Sequence, residues 1–291
     1  EAPPPGKAAD AGLRAGRAWI SRLLVAILIF LALLIPLLFS GAPGVAPKLY
    51  ANEVVSAFQV MEQITPQRPV LLAADFEAAS TGEMKWISRY VLAPALSRNL
   101  PITIMSTNLF GSVIMEEYAR DLLKEINPPP GGGIVNLGYL PGGTIGLMSL
   151  AEDWKKALPY TTELQVSGDV PMLKSLGRLS DFGGVLVFTD SAETAKAWVE
   201  QVAPALGSTP LLMVVSAQAA PMLQPYYDSG QVDGIISGVY GALVFDRLAQ
   251  NSQSPGSLFA SYQLTLLAVA MLILVGGLSY FIFKSMSSDK G

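Results

Sequence analysis

Short apolar runs alternate with amphipathic stretches through the middle of this chain. Five runs rich in aliphatic and β-branched residues are each followed by a turn and by a stretch with helical periodicity. The predicted strands are Pro69–Ala74, Pro101–Met105, Ile134–Leu137, Val185–Phe188 and Pro210–Val215. The predicted helices that follow them are Gly82–Arg98, Phe110–Ile126, Thr144–Ala157, Ala192–Leu206 and Ser237–Gln250.

This alternation predicts βαβ units, and strands so uniformly apolar predict a parallel sheet covered on both faces. We expect a three-layer α/β domain over 48–250, Rossmann-like or flavodoxin-like, with about five or six strands in a mostly parallel sheet. The amphipathic stretch Leu49–Ile64 predicts a helix that leads into the sheet. The segment Pro159–Phe182 breaks the rhythm, and we expect its short amphipathic part to pack on the sheet edge or near a membrane.

Two longer apolar stretches flank the domain, Trp19–Phe39 and Phe259–Phe283, with Arg22 as their only charge. A bilayer is crossed by roughly 20 apolar residues, so we predict transmembrane helices at 18–40 and 258–283. A cleaved signal peptide is the alternative for the first stretch. Its apolar run is about twice the usual length for a signal peptide, and proline follows the small-residue sites, which favours a retained anchor.

The charges beside these stretches predict their orientation. Arg14 and Arg17 precede the first stretch, and Lys284 and Lys290 follow the second. Because basic flanks stay on the cytoplasmic side, we expect a cell-membrane protein with a disordered cytoplasmic tail at 1–17, a second cytoplasmic tail at 284–291 and an extracytoplasmic domain between the spans. That domain has more acidic than basic side chains, which disfavours nucleic acid and anionic lipid as partners.

The composition narrows the possible chemistry. The 291 residues include neither cysteine nor histidine, which excludes disulfides, Cys/His zinc sites, His-ligated haem and the Ser-His-Asp triad. We therefore expect no cofactor and no metal. An enzyme of this composition needs carboxylates, tyrosine or lysine for proton transfer, and neither Lys85 nor Lys174 lies in a recognisable nucleophile motif.

Polar residues follow the predicted strands at the edge where ligands bind in open parallel sheets. The candidate ligand-binding residues are Asp75, Glu77, Thr107, Asn108, Gly142, Gly143, Thr144, Asp190, Ser216 and Gln218. The competing interpretation is helix capping, which accounts for Asp190 or its neighbour Ser191, and for Asn108.

Two of these groups have a chemical alternative as well. The loop Gly142-Gly143-Thr144 could hold an anion on backbone N–H groups, but it lacks the lysine of a P-loop, and a tight turn also requires glycine. Asp75 and Glu77 could bind a divalent cation or share a proton as a carboxylate pair, and solvated loop acids are the alternative.

The second apolar stretch carries a face of small residues, Gly276, Gly277 and Ser279, suited to close helix packing. Beyond the lipid bilayer, we expect a membrane-protein partner or a second copy of the chain, and no nucleic acid. The leading hypothesis is a membrane-anchored binding or scaffold domain, an accessory subunit of a membrane complex. The alternatives are a receptor that binds a small ligand at the strand ends and a histidine-free hydrolase or transferase.

Overall fold

A computed structural model describes residues 25–32, 34, 51–128, 131–250 and 263–276. Within it, Lys48–Ser252 is a compact unit separate from the flanking segments. Its six strands are β1 (Val70–Asp75), β2 (Ile102–Ser106), β3 (Ile134–Tyr139), β4 (Gly184–Thr189), β5 (Leu211–Val215) and β6 (Gly234–Ser237). The five predicted strands are all present, and the sheet has a sixth.

Nine α-helices accompany these strands in the described part of the domain. They are α1 (Asn52–Gln63), α2 (Thr81–Ser97), α3 (Gly111–Ile126), α4 (Thr144–Glu152), α5 (Trp154–Ala157), α6 (Ala192–Gln201), α7 (Ala203–Leu206), α8 (Gln224–Asp228) and α9 (Gly238–Gln250). Single turns of 3₁₀ helix lie at Ala78–Ser80, Ser167–Asp169, Leu179–Asp181 and Ala220–Met222.

The six strands form one parallel sheet in the order β3-β2-β1-β4-β5-β6. This is the strand order of the Rossmann fold and differs from the flavodoxin order, so the Rossmann-like prediction is confirmed and the flavodoxin-like alternative is wrong. The chain leaves β1 toward β2 and leaves β4 toward β5, in opposite directions from the centre. The point between β1 and β4 is therefore the topological switch point of the sheet.

One face of the sheet is covered by α4 to α8. Their buried apolar side chains form a single cluster with Leu71 and Ala73 of β1, and the rings of Trp154 and Phe182 meet edge to face in it, 5.6 Å apart. Leu176 belongs to this cluster together with its neighbours in the segment that breaks the strand–helix rhythm. That segment packs onto the face of the sheet rather than on its edge.

The other face is covered by α1, α2, α3 and α9, which pack against one another in a continuous layer. The helix before the sheet contributes Ala57 and Met61 to the core, and Phe58 meets Phe245 of α9 with 6.0 Å between ring centroids. Because α1 lies along β6 and α9, it is a covering helix of the fold.

Two predicted helices are interrupted. The first breaks at Asp153, whose backbone is extended and whose carboxylate accepts hydrogen bonds from the N–H groups of Lys155 and Lys156 at the start of α5. The second breaks at Val202, where Pro204 enters the first turn of α7 and has no N–H group to continue α6. The sixth strand, only four residues long, was too short a pattern to predict.

The flanking segments are helical over 25–32 and 263–276, inside the two predicted spans. Within the part of the chain that the structure describes, no helix has both the length and the apolar character that a membrane crossing requires. Apart from residue 34, the remaining residues of both spans, with Gly277 and Ser279, lie outside the described residues, as do the two predicted tails. Gly276 ends the described helix, and a Cβ placed on it would meet no described heavy atom within 4 Å.

Candidate functional site

The candidate residues lie in loops at the carboxyl ends of the strands, which together form one rim of the sheet. The loop after β1 meets the loop after β4 at the switch point, where open α/β sheets bind their ligands. We call this part of the rim the switch-point crevice. The loops after β2 and β3 form the neighbouring part of the same rim.

Asp75 lies at the end of β1 on the side of the sheet covered by α6, and only 4% of its surface is exposed. Its carboxylate accepts hydrogen bonds from Trp198 Nε1 at 2.6 Å, from the Thr107 N–H at 2.5 Å and from Ser106 Oγ at 3.2 Å. Burial raises the pKa of the Asp75 carboxyl, and the hydrogen bonds oppose that shift. Asp75 thus joins β1, the loop after β2 and α6, and its oxygens are turned away from solvent.

The other polar groups at the switch point bond to one another across it. Asp190, after β4, accepts a hydrogen bond from Ser80 Oγ of the loop after β1. The carbonyl oxygen of Asp190 accepts a hydrogen bond from Ser216 Oγ at 3.2 Å, and the Ala217 N–H donates to Glu83 Oε1 at 3.4 Å. Three loops are therefore joined by side chains over the crevice.

The remaining polar candidates have separate positions. Asn108 shapes the loop before α3, since its side-chain oxygen accepts from the Phe110 N–H at 3.2 Å. Ser191 is the N-cap of α6 and accepts from the Thr194 N–H at 3.2 Å, so the capping role belongs to Ser191 and not to Asp190. Gln218 is exposed in the loop after β5.

The carboxylate pair predicted after β1 is divided between two environments. Asp75 is buried, whereas Glu77 is exposed to solvent. Within the described residues, no group of three or more acidic side chains is placed to hold a metal ion. Lys85, one of the two conceivable bases, lies over the ring of Tyr118 with 5.5 Å between its Nζ and the ring centroid, and Lys174 is exposed.

The glycine loop before α4 has a backbone that only glycine adopts readily. Gly142 has a φ of +98° and Gly143 a φ of +54°, and the Ile145 N–H closes the turn on the Gly142 carbonyl at 3.1 Å. Thr144 follows as the first, exposed residue of the helix. The turn geometry therefore accounts for both glycines.

A feature that sequence reasoning missed lies beside the crevice, at the ends of β2 and β3. We call it the apolar rim patch, and it consists of exposed Leu109, Phe110, Val113, Ile145 and Met148. Ile145 is 72% exposed and Phe110 58% exposed, although both are large apolar side chains. A sequence signal for the patch is present in α4, because Ile145 and Met148 are apolar although only Leu147 and Leu150 are needed for the core.

The two loops that carry the patch are in direct contact. Ser106 at the end of β2 is in register with Tyr139 at the end of β3, and the Leu140 N–H donates to the Ser106 carbonyl at 2.7 Å. The patch therefore has two parts at adjacent strand ends: Leu109, Phe110 and Val113 at the start of α3, on one face of the sheet, and Ile145 and Met148 at the start of α4, on the other. Large apolar side chains exposed at one edge of a domain are typical of a protein or membrane interaction site.

The charge of the rim has one sign. Beside the buried Asp75, its loops contain the accessible acids Glu77, Glu83 and Asp190, and the segments 75–83, 106–111, 139–146 and 189–193 contain no lysine or arginine. Such a rim repels phosphate-bearing ligands, which the Rossmann fold usually binds at this edge.

A cleft of about 310 Å³ lies at the opposite edge of the sheet, where the strands begin. Leu206, Thr209, Gln231 and Asp233 line it. Asp233 accepts a hydrogen bond from the Leu211 N–H at 2.8 Å, at the start of β5. This cleft is separate from every predicted site residue.

Comparison of the sequence with models of known protein families finds no match, and comparison with curated proteins finds none either.

Proposed function

We propose that this chain is a membrane-anchored scaffold or binding protein whose extracytoplasmic α/β domain holds a partner protein at the carboxyl rim. The observation that carries the proposal is the apolar rim patch, in which five large apolar side chains are exposed at two adjacent strand ends. Leaving this surface in water costs about 25 cal/mol per Å², a cost that a partner removes on binding.

The switch-point crevice supports the same function because it is poorly suited to a small ligand. Its polar side chains are already engaged with one another, and Asp75 is buried beneath them. A small ligand would have to displace these hydrogen bonds and would meet only acidic charge in the adjoining loops. Binding at the patch requires no such rearrangement.

The anchoring part of the proposal rests on the sequence. The apolar stretches 18–40 and 258–283, with basic residues at their outer flanks, are consistent with two membrane helices and cytoplasmic termini. Tethering at both ends confines the domain near the membrane, which raises its effective concentration toward a membrane-protein partner. The proposed role is therefore an accessory subunit of a membrane complex.

Site-specific photocrosslinking in native membranes tests this function. The full-length chain carries p-benzoylphenylalanine either at position 110, in the patch, or at position 222, where Met222 is 50% exposed after β5 on the same rim. We expect a covalent adduct with a second protein from position 110 and none from position 222. Adducts of equal yield from the two positions, or none from position 110, would refute the proposed function.

A further inference from the structure

We infer that Asp75 is a positioning residue for the partner: from the end of β1 it holds the loop after β2 in the conformation that presents Leu109 and Phe110. The inference rests on the proposed function and adds a residue that supports binding without touching the partner. Asp75 is only 4% exposed, so any effect it has on the partner passes through the loop.

A chain of hydrogen bonds runs from the Asp75 carboxylate along this loop. Asp75 Oδ1 accepts from the Thr107 N–H at 2.5 Å and lies 3.2 Å from Ser106 Oγ. Ser106 Oγ accepts from the Asn108 N–H at 2.8 Å, and Asn108 Oδ1 accepts from the Phe110 N–H at 3.2 Å. Three successive bonds of the loop backbone are therefore made to side chains, and the innermost acceptor is Asp75.

The exposed side chains of this loop depend on its backbone for their position. Leu109 is 60% exposed and Phe110 58% exposed, so packing against the domain holds little of either side chain. Ile145 and Met148 project from α4, where helical hydrogen bonds fix the backbone. A loop that is ordered before contact avoids the entropic cost of ordering it on binding. The hydrogen bonds from Asp75 therefore favour binding at Leu109 and Phe110.

Stability alone does not explain a carboxyl group at this buried position. Burial raises the pKa of Asp75, although hydrogen bonds from Trp198, Thr107 and Ser106 act in the opposite direction. The ionised group is therefore less favourable here than in water, and buried charges of this kind often stabilise a fold less than apolar packing does. The two oxygens nevertheless hold two separate elements, α6 through Trp198 and the loop through Thr107.

This division of the two oxygens allows a matched test. Asp75 Oδ2 accepts from Trp198 Nε1 at 2.6 Å, whereas Oδ1 faces the loop. Asp75→Ala removes both connections, and Trp198→Phe removes only the connection to α6. We expect both variants to lose stability in thermal melts, because each leaves a buried polar group without its partner. Only Asp75→Ala is expected to release the loop.

Two measurements on the full-length chain follow the loop and the partner separately. Hydrogen exchange of the chain in mild detergent reports the order of residues 107–110, with the fully buried strand β5 as the internal reference. Photocrosslinking in native membranes, with p-benzoylphenylalanine at position 110, reports the partner through the yield of the protein adduct.

We expect Asp75→Ala to speed the exchange of residues 107–110 about tenfold relative to β5 and to lower the adduct yield roughly fivefold. We expect Trp198→Phe to leave both quantities within about twofold of the original. The rescue variant combines Asp75→Asn with Trp198→Phe, which keeps an oxygen for the loop and removes the indole donor that would oppose the amide NH₂ group. It is expected to match Trp198→Phe in exchange and in yield.

A variant at the outer end of the chain of hydrogen bonds covers the case in which Asp75→Ala does not fold. Asn108 is half-buried, and Asn108→Ala removes the acceptor of the Phe110 N–H without altering the core. We expect its melting temperature to stay near that of the original chain and its adduct yield to fall about threefold.

Equal effects of Asp75→Ala and Trp198→Phe on exchange and yield would overturn the inference, because binding would then follow stability alone. Faster exchange in Asp75→Ala with an unchanged yield would overturn it as well, as would an unchanged yield in Asn108→Ala. Absence of a protein adduct from position 110 in the original chain would instead reject the proposed function, so the two failures are distinguishable.

Discussion

The two halves of the carboxyl rim are built on the same backbone plan and use it differently. In the half formed by the loops after β1 and β4, side chains bond to one another across the switch point, as Ser80 does to Asp190. In the half formed by the loops after β2 and β3, Leu109, Phe110 and Ile145 extend into solvent without a partner side chain that covers them. The first half contributes hydrogen bonds to the fold, and the second leaves large apolar side chains exposed.

This difference shows why fold alone does not locate a binding site. The Rossmann strand order directs attention to the switch point, where related architectures hold a phosphate-bearing ligand. Here that position has a buried carboxylate, Asp75, in place of a glycine-rich loop and a cation. The exposed apolar side chains lie instead at the ends of β2 and β3.

The largest expected effect lies at the junction of the two halves, where α3 begins against β1. A Cβ at Gly111 would collide with the carbonyl oxygen of Ala74 and lie 2.6 Å from Ser106 Oγ. We expect Gly111→Ala to lower the free energy of unfolding by about 3 kcal/mol or more.

The control is Gly82→Ala in α2, where a Cβ meets no described atom within 4 Å. That replacement is expected to be neutral or to stabilise the helix by about 0.5 kcal/mol. Chemical denaturation of both variants measures the difference. Equal stability of Gly111→Ala and Gly82→Ala would show that α3 does not pack so closely against β1.

The next effect concerns the half of the rim formed by the loops after β1 and β4. Asp75→Ala leaves the Trp198 indole N–H and the Thr107 N–H buried without their acceptor. We expect a loss of about 2 to 4 kcal/mol in the free energy of unfolding, since each unsatisfied buried donor costs about 1 to 3 kcal/mol. A loss below about 0.5 kcal/mol would mean that the Asp75 hydrogen bonds contribute little to stability.

Asp75 also predicts a dependence on pH. Burial raises its pKa in the folded chain, so the folded state binds this proton more tightly than the unfolded state does. The stability contributed by that proton is present below the unfolded pKa and is lost as the pH rises through the folded pKa. The original chain is therefore expected to lose unfolding free energy relative to Asp75→Asn as the pH rises from about 4. A pH-independent difference would exclude a raised pKa.

The smallest effect concerns helix capping in the half of the rim formed by the loops after β1 and β4. Ser191 accepts a hydrogen bond from the Thr194 N–H at the start of α6. Ser191→Ala is expected to cost about 1 kcal/mol, and Ser191→Gly only a few tenths, measured by denaturation. Equal losses for the two replacements would argue against a capping role.

Sequence reasoning predicted the elements of the fold but not the contacts between distant parts of the chain. The apolar runs located five strands because local periodicity reflects burial on both faces. It could not reveal that Trp198 donates to Asp75, because those residues are 123 positions apart and meet only once the strand order is known. For the same reason Asp190 was assigned a capping or ligand role, although its side chain bonds to Ser80.

The apolar rim patch was missed for a different physical reason. An apolar residue at helical spacing normally predicts burial, and Ile145 and Met148 follow that spacing in α4. The pattern does not say which side of a helix faces the core when large apolar residues lie on two sides of it. Leu147 and Leu150 occupy the core, and only the packed structure shows that the opposite side is exposed.

We propose that the two halves of the rim divide stability from binding, and a reciprocal pair of variants tests this division. Phe110→Asp with Ile145→Asp alters the patch, and Asp190→Ala removes the acceptor of the Ser80 hydrogen bond. Each variant of the full-length chain is purified in mild detergent, and both its unfolding free energy and the amount of partner protein that co-purifies are measured.

We expect the patch variant to keep its free energy of unfolding within about 0.5 kcal/mol, because exposed side chains contribute little to folding, and the amount of co-purifying partner to fall more than about tenfold. We expect Asp190→Ala to lose about 1 kcal/mol of stability and to keep its partner. A patch variant that retains its partner, or an Asp190→Ala variant that loses it without loss of stability, would contradict the division.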